Sequence, residues 1–384
     1  MSRESAALKF SFAEPPADGL SIKVVGVGGG GCNAVNRMIE AGLQGVDFLA
    51  ANTDWQSLET SRADCRVRLG AQLTRGRGAG GDPEQGKLAA LEETDRLIEL
   101  LEGADLVFIA AGLGGGTGTG GAPVIGSLAS QLGCLTVAVV TKPFRFEGSP
   151  RFAIAQRGFA ELKPCVDAVV TVLNDKLLSV LSPGVSFVQA LDFADDVLRQ
   201  AVQGATDLVV VPGRMNLEFS DLKAVLAGMG TGFFGMGISS KAADAAQKAI
   251  HHPLLEEIDL RTARGILVNI TGNSSLPLHE VKDACEAVFA GSKPDAQVRF
   301  GAVFDETLGS DVRVTVIATG VEERTGLKDD LEDPRIQRES EKQQAAEIPA
   351  EDPAQCWNTN RLPDDDRWDS PAYARLLFND EDGE

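Results

Sequence analysis

The sequence predicts an α/β fold: a doubly wound, mostly parallel sheet joined by a long helix to a smaller α/β unit with a mixed sheet. Three observations carry that prediction. Residues 22–27, 46–51, 105–111, 135–141 and 168–173 are short apolar runs with the length and composition of strands buried on both faces. Helix-like segments separate most of them, near residues 33–41, 86–101, 122–132 and 151–162, and that alternation implies parallel strands with right-handed crossovers. Residues 187–208 then run amphipathic, without Gly or Pro until Gly204, as one long helix.

Along the chain, residues 1–20 carry Glu14, two prolines and no periodic pattern, and are expected to form a flexible arm. Residues 21–184 make the first unit and residues 185–208 the central helix. Residues 209–320 make the second unit, with strands expected at 265–271, 297–304 and 312–319 and helices at 221–228, 241–251 and 278–290. Residues 321–367 are rich in Glu, Asp, Gln and Arg with scattered Pro, a composition that predicts a disordered linker. Residues 368–384 open with an apolar-aromatic island, which fits docking on a partner.

Composition excludes several functions. The 384 residues suffice for two domains, and a formal net charge of −20 argues against nonspecific nucleic-acid binding. Residues 322–384 hold 19 acidic against 8 basic side chains, a net of −11. Six widely spaced cysteines, no C-x-x-C pair and three histidines exclude a recognisable zinc motif and fit reduced thiols. The first twenty residues lack an apolar signal core and the apolar runs are too short to span a bilayer, so a cytoplasmic protein without membrane insertion is expected.

The glycines place the chemistry. The first strand ends in Gly26-Val-Gly-Gly-Gly-Gly-Cys-Asn33 before a helix, where side-chain-free positions let amides turn toward anionic oxygens and the helix dipole assists. Taken alone, Gly26, Gly28 and Gly31 also satisfy G-x-G-x-x-G, and Asp47 lies about where a dinucleotide enzyme places its ribose acid. A second loop, Gly112-Leu-Gly-Gly-Gly-Thr-Gly-Thr-Gly120, follows the strand at 105–111 at the mouth of another helix. Two such loops at strand ends of one sheet can enclose a polyphosphate, with Thr117 and Thr119 adding hydroxyls. There is no G-x-x-x-x-G-K-[ST], so amides, helix ends and a bound cation, Mg²⁺, are expected to meet the phosphate charge.

The Gly112–Gly120 run carries the G-G-G-T-G-T-G signature of the tubulin superfamily, and its context resembles the FtsZ branch of the tubulin/FtsZ family. The resemblance runs from about Ser21 to Gly320 and includes Ala50-Ala-Asn-Thr-Asp54, Gly78-Ala-Gly-Gly-Asp-Pro-Glu-Gln-Gly86, Val139-Val-Thr-Lys-Pro-Phe-Arg-Phe-Glu-Gly148, Asn174-Asp-Lys-Leu-Leu178, Gly265-Ile-Leu-Val-Asn-Ile-Thr271 and Arg313-Val-Thr-Val-Ile-Ala-Thr-Gly320. It implies a GTPase that polymerises head to tail into the division ring of bacterial cytokinesis, at mid-cell. By the same resemblance Gly28, Gly29, Gly30, Gly31, Cys32 and Asn33, with Gly115, Gly116, Thr117, Gly118, Thr119 and Gly120, hold the phosphates of GTP or GDP. Ala79 and Gly80 close over the terminal phosphate. Thr141 belongs to the nucleotide set, and Glu147 and Arg151 hold the ribose and nearby phosphates.

Asn33, Asn174 and Asp196 match groups that read guanine, since a carboxylate can accept from both N1–H and the 2-amino group. Bland alternatives stand beside these: a helix N-cap for Asn174, a solvated helix face for Arg151, an exposed carboxylate for Asp196. Leu191 stands where the family often has Phe stacked on the base, and Phe193 offers an alternative stack.

The resemblance also implies a composite site. Asn216, Glu218 and Asp221 match a loop that reaches the γ-phosphate held by the next subunit, with Glu218 one methylene longer than the family's usual Asp. Two carboxylates three residues apart at a helix entry project on one side and suit polarising a water; ordinary N-capping is the competing explanation. Trp368, Asp369, Pro371, Tyr373, Arg375, Leu376 and Phe378 resemble the family's C-terminal peptide for membrane-tethering and regulatory partners. The acidic end, Asn379 to Glu384, disfavours direct attraction to anionic lipid. Two other classes remain: an NAD oxidoreductase using Gly26–Gly31, and a structural relative that binds nucleotide without hydrolysing it.

Overall fold

The computed structural model describes residues 19–182, 184–210, 217–251, 262–290, 292–293 and 296–321. In chain order the elements are β1 (Ile22–Val27), α1 (Gly28–Glu40), β2 (Asp47–Asn52), α2 (Trp55–Glu59), β3 (Cys65–Arg68), α3 (Pro83–Glu92), α4 (Thr94–Leu101), β4 (Leu106–Gly112), α5 (Thr117–Gln131), β5 (Leu135–Lys142), α6 (Ser149–Leu162), β6 (Ala168–Leu173), α7 (Asn174–Val180), α8 (Phe187–Val210), α9 (Phe219–Leu226), β7 (Gly230–Ser239), α10 (Ala242–Ile250), β8 (Gly265–Gly272), α11 (Leu278–Phe289), β9 (Gln297–Phe304) and β10 (Val312–Thr319).

The strands form one ten-stranded sheet in the order β3-β2-β1-β4-β5-β6-β7-β10-β8-β9. From β3 to β7 every pairing is parallel, whereas β10 runs antiparallel to both β7 and β8. Parallel strands with helices on both faces must be apolar on both faces, and β5 is buried at all eight positions. Side-chain alternation sends Val24 of β1 to the core under α1 and α8, and Val25 and Val27 to the opposite core under α3 to α6. A third core lies among β7, β8, β10, α10 and α11. Pairing of β6 with β7 through Ala168–Gly230, Val169–Thr231 and Val170–Gly232 carries the sheet from one half into the other.

Two strands, β3 and β7, lack a strand-like sequence pattern. β3 reads Cys-Arg-Val-Arg, and its charges conceal a strand that needs only one buried residue, Val67, because it lies at the sheet edge. β7 holds four glycines in ten residues and resembles a loop. Two of those glycines are required by packing: a Cβ at Gly235 would lie 2.0 Å from the Ala249 carbonyl oxygen, and one at Gly237 2.1 Å from that of Ala245. They let α10 rest directly on the strand.

Residues 86–101 form two helices instead of one. Glu93 leaves helical geometry at φ −104°, ψ 21°, and the Thr94 hydroxyl donates to the Leu91 carbonyl at 2.7 Å, closing the first helix. Both glycine runs also differ from loops that merely precede helices, because Gly28 to Gly31 and Thr117 to Gly120 are already the first turns of α1 and α5.

Candidate nucleotide site

β1 and β4 are neighbours, so the N-termini of α1 and α5 emerge side by side at the carboxyl edge of the sheet. Their backbones touch. Gly28 has φ +70°, and a Cβ there would lie 2.8 Å from the Gly118 nitrogen, while one at Gly118 would lie 2.5 Å from the Gly112 oxygen. Only glycine permits both the left-handed turn and that approach.

Neither helix has a side-chain cap or an acid in its first turn. By contrast α2 and α3 are capped by Asp54 and Asp82, which accept from Gln56 and Glu84 amides at 3.1 and 3.0 Å. Uncapped N-termini leave amide donors and the positive dipole end to a ligand, and an anion satisfies both.

The two first turns open onto a cleft of about 410 Å³, a volume suited to a small organic ligand. Of the residues expected from the sequence, it is lined by Gly29, Gly30, Asn33, Gly115, Gly116, Thr117, Gly118, Thr141, Glu147, Arg151, Asn174 and Leu191. Gly112, Leu113, Pro143, Ala194 and Asp195 complete the wall.

The polar groups of the cleft are held in place. The Thr117 hydroxyl lies 2.6 Å from that of Thr53 at the end of β2. Glu147 accepts from the Phe144 amide at 2.8 Å and from Arg151 at 3.2 Å, so acid and arginine form one unit. Asn174 is buried, and its Oδ1 has no hydrogen-bond partner. A buried acceptor without a partner costs roughly 1–3 kcal/mol, which a donor on a ligand in the cleft would recover.

Asp195 projects into the cleft from α8, and its carboxyl is pushed up to about 7, chiefly by burial and further by Asp192; Arg37 opposes the shift. Arg37 itself pairs with Asp192. Of the two neighbouring acids, Asp195 and not the expected Asp196 lines the cleft. Asp196 does not line the cleft; it accepts from Arg199 and Gln200, each at 2.6 Å. On a helix, neighbouring residues are turned about 100° apart, so only one of the two acids can face the cleft.

Several expected residues also serve packing. Cys32 is 1% exposed, its thiol directed at the Gly26 carbonyl and pushed up to about 12 by burial. A Cβ on Gly31 would lie 2.1 Å from the Ala110 oxygen, and one on Gly120 1.9 Å from the Pro83 oxygen, so both glycines seat helices. The Thr119 hydroxyl accepts from the Gly114 amide at 2.9 Å and braces the loop. Ala79 and Gly80 do not line the cleft, although Ala79 lies against Gly116. Phe193 packs against the core, whereas Leu191 lines the cleft.

Glu218 and Asp221 stand at the N-terminus of α9, where they form a capping box. Glu218 also accepts from the Ser220 hydroxyl at 3.3 Å, and Asp221 from Arg299 at 2.7 Å. Neither acid lines the cleft of its own chain. Asn216 and the C-terminal peptide from Trp368 lie outside the described residues. No helix among the described residues is long and apolar enough to cross a membrane.

Two uncapped helix ends, a half-buried acid and a buried amide around one cleft define a nucleotide-binding α/β protein without a P-loop lysine. Comparison with known proteins gives the family. Residues 21–182 match the Tubulin/FtsZ family GTPase domain, and residues 224–322 match the FtsZ family C-terminal domain. FtsZ from M. jannaschii, solved as an empty dimer, is 39% identical over 79% of this chain and 89% of its own, with a TM-score of 0.75. A mutant of M. jannaschii FtsZ is 37% identical over 79% of this chain and 96% of its own, also at 0.75. CetZ2 from Haloferax volcanii, solved as a GTPγS-bound protofilament, shares the fold at 24% identity and a TM-score of 0.68, over 85% of this chain and all of its own. The chain belongs to the tubulin/FtsZ family, as an FtsZ-like cytoskeletal protein with a guanine-nucleotide-binding GTPase domain.

Proposed function

We propose that this chain binds GTP in the cleft, polymerises head to tail and hydrolyses GTP at a site completed by the next subunit, in the cytoplasmic filament of the bacterial division ring. The observation that carries this is the convergence of two uncapped helix N-termini on a cleft whose other end holds Asp195 and Asn174. The helix ends take the phosphates. Asp195, in place of Asp196, accepts from N1–H and the 2-amino group of guanine, a pattern adenine does not offer. Glu147 and Arg151 hold the ribose side.

Hydrolysis needs a water aligned behind the γ-phosphorus, and Glu218 and Asp221 do not line their own chain's cleft. In a head-to-tail filament those carboxylates enter the neighbour's cleft and orient the water. The water oxygen bonds to the γ-phosphorus as the bridge to the β-phosphate breaks, giving phosphate and GDP. No group of three or more His, Cys, Asp or Glu able to cage a metal exists among the described residues, so Mg²⁺ would have to be carried mainly by the nucleotide's own oxygens. Assembly switches the site on and hydrolysis loosens the contact; a head-to-tail contact that does not close gives filaments.

The C-terminal peptide, including Asp369, Pro371, Tyr373 and Arg375, is assigned to membrane-tethering and regulatory partners. Deleting residues 368–384 should leave polymerisation intact and abolish adaptor capture in pull-downs; retained capture overturns that assignment. Phosphate release from GTP and ATP, followed with light scattering, tests the main proposal. GTP-selective turnover that accompanies scattering supports it, and ATP turnover or NAD-dependent activity would sink it.

A further inference from the structure

We infer that Arg299 is a positioning residue for hydrolysis, holding Asp221 in the orientation it presents to the neighbouring subunit. The inference rests on the composite-site proposal above. Asp221 occupies the third position of α9, and its Oδ2 accepts from the Glu218 amide at a long 3.3 Å. That bond alone would let the carboxylate turn about its side-chain torsions. Arg299, on β9 and 78 residues away in sequence, donates from Nε to Asp221 Oδ1 at 2.7 Å. Its Nη1 donates to the Val298 carbonyl at 3.2 Å, and its backbone is in register with Leu267 of β8, so the guanidinium is anchored to the sheet. Asp221 is thereby fixed at both oxygens, one by its own helix and one by the sheet.

Stability gives little reason for this pair. Its side chains are 44% and 30% exposed, and ion pairs in that setting contribute little to stability. Orientation gives a stronger one, since a displacement of about 1 Å at a reacting group can lower a rate on the order of a hundredfold. With each oxygen holding one donor, lone pairs remain on both for a water.

The test uses the full chain with GTP, following phosphate release against protein concentration, sedimentation for the assembly threshold, and nucleotide binding. Arg299→Ala should lower turnover per assembled subunit about tenfold or more while threshold and GTP affinity stay at wild-type values, and Arg299→Lys should recover most of the loss. Wild-type turnover in Arg299→Ala overturns the inference, as does a shifted threshold with normal turnover. An Arg299→Lys variant as impaired as the alanine also overturns it, because that pattern marks a guanidinium acting on the phosphate itself. Asp221→Asn in the same assay separates the two levels. If Asp221→Asn turns over normally, the composite site fails. If it is inactive while Arg299→Ala is normal, only the positioning role fails.

Discussion

Asp195 and Asp196 are neighbours on α8 yet do different work: Asp195 lines the nucleotide cleft, and Asp196 is engaged by Arg199 and Gln200. Asp195→Ala should therefore weaken GTP binding by two orders of magnitude or more, since hydrogen bonds to a charged acceptor contribute roughly 1.5–3 kcal/mol each. Asp196→Ala should leave GTP affinity within a few-fold of wild type. Titration with a fluorescent GTP analogue measures both, and equal losses would contradict the assignment.

Burial of Asp195 also sets a pH dependence. Its carboxyl titrates at about 7 in the folded protein and at an ordinary 3.8 when unfolded. The stability from holding that proton is fully present below about pH 4 and is lost as pH rises through 7. Nucleotide-free Asp195→Asn should therefore melt increasingly above wild type as pH goes from 5 to 8. A difference in Tm that stays constant over that range would show that Asp195 is not desolvated as described.

Gly29 and Gly31, two residues apart in α1, separate ligand contact from folding. Space around Gly29 is open, whereas a Cβ on Gly31 would strike the Ala110 carbonyl at 2.1 Å. Gly31→Ala should destabilise the protein by about 1–3 kcal/mol, or more where the backbone cannot shift. Gly29→Ala should keep the wild-type Tm and reduce GTP affinity. Thermal melts paired with binding titrations check this, and a stable Gly31→Ala would refute the packing role.

Outside the cleft, Asp221→Ala should bind GTP and assemble but release almost no phosphate. Glu218→Asp removes one methylene and should change turnover while leaving GTP affinity unaltered, because Glu218 does not line its own cleft. Sedimentation with phosphate release reads both. An Asp221→Ala variant with normal turnover removes the acid from the chemistry.

Much of this was legible in the sequence because strand periodicity and the two glycine runs are local signals. β1, β4, β5 and β6 announce themselves as continuous apolar runs, and a glycine-rich turn into a helix has few other uses. β7 is hidden because Gly235 and Gly237 answer to α10, which lies close only in the folded chain. The Cys32 side chain and the Cβ position of Gly31, inside the phosphate motif, face inward, an orientation set by helix rotation. The choice between Asp195 and Asp196 depended on the same rotation. Arg299 gave no local signal, since its partner lies 78 residues away.

In the proposed mechanism, half of the active site comes from the next subunit. The direct measurement is phosphate release per subunit across a range of protein concentrations spanning the onset of assembly, with GTP saturating. Turnover per subunit should be negligible below a threshold and rise steeply above it, in step with light scattering. Constant turnover per subunit, from concentrations at which the chain sediments as a monomer, would contradict the claim.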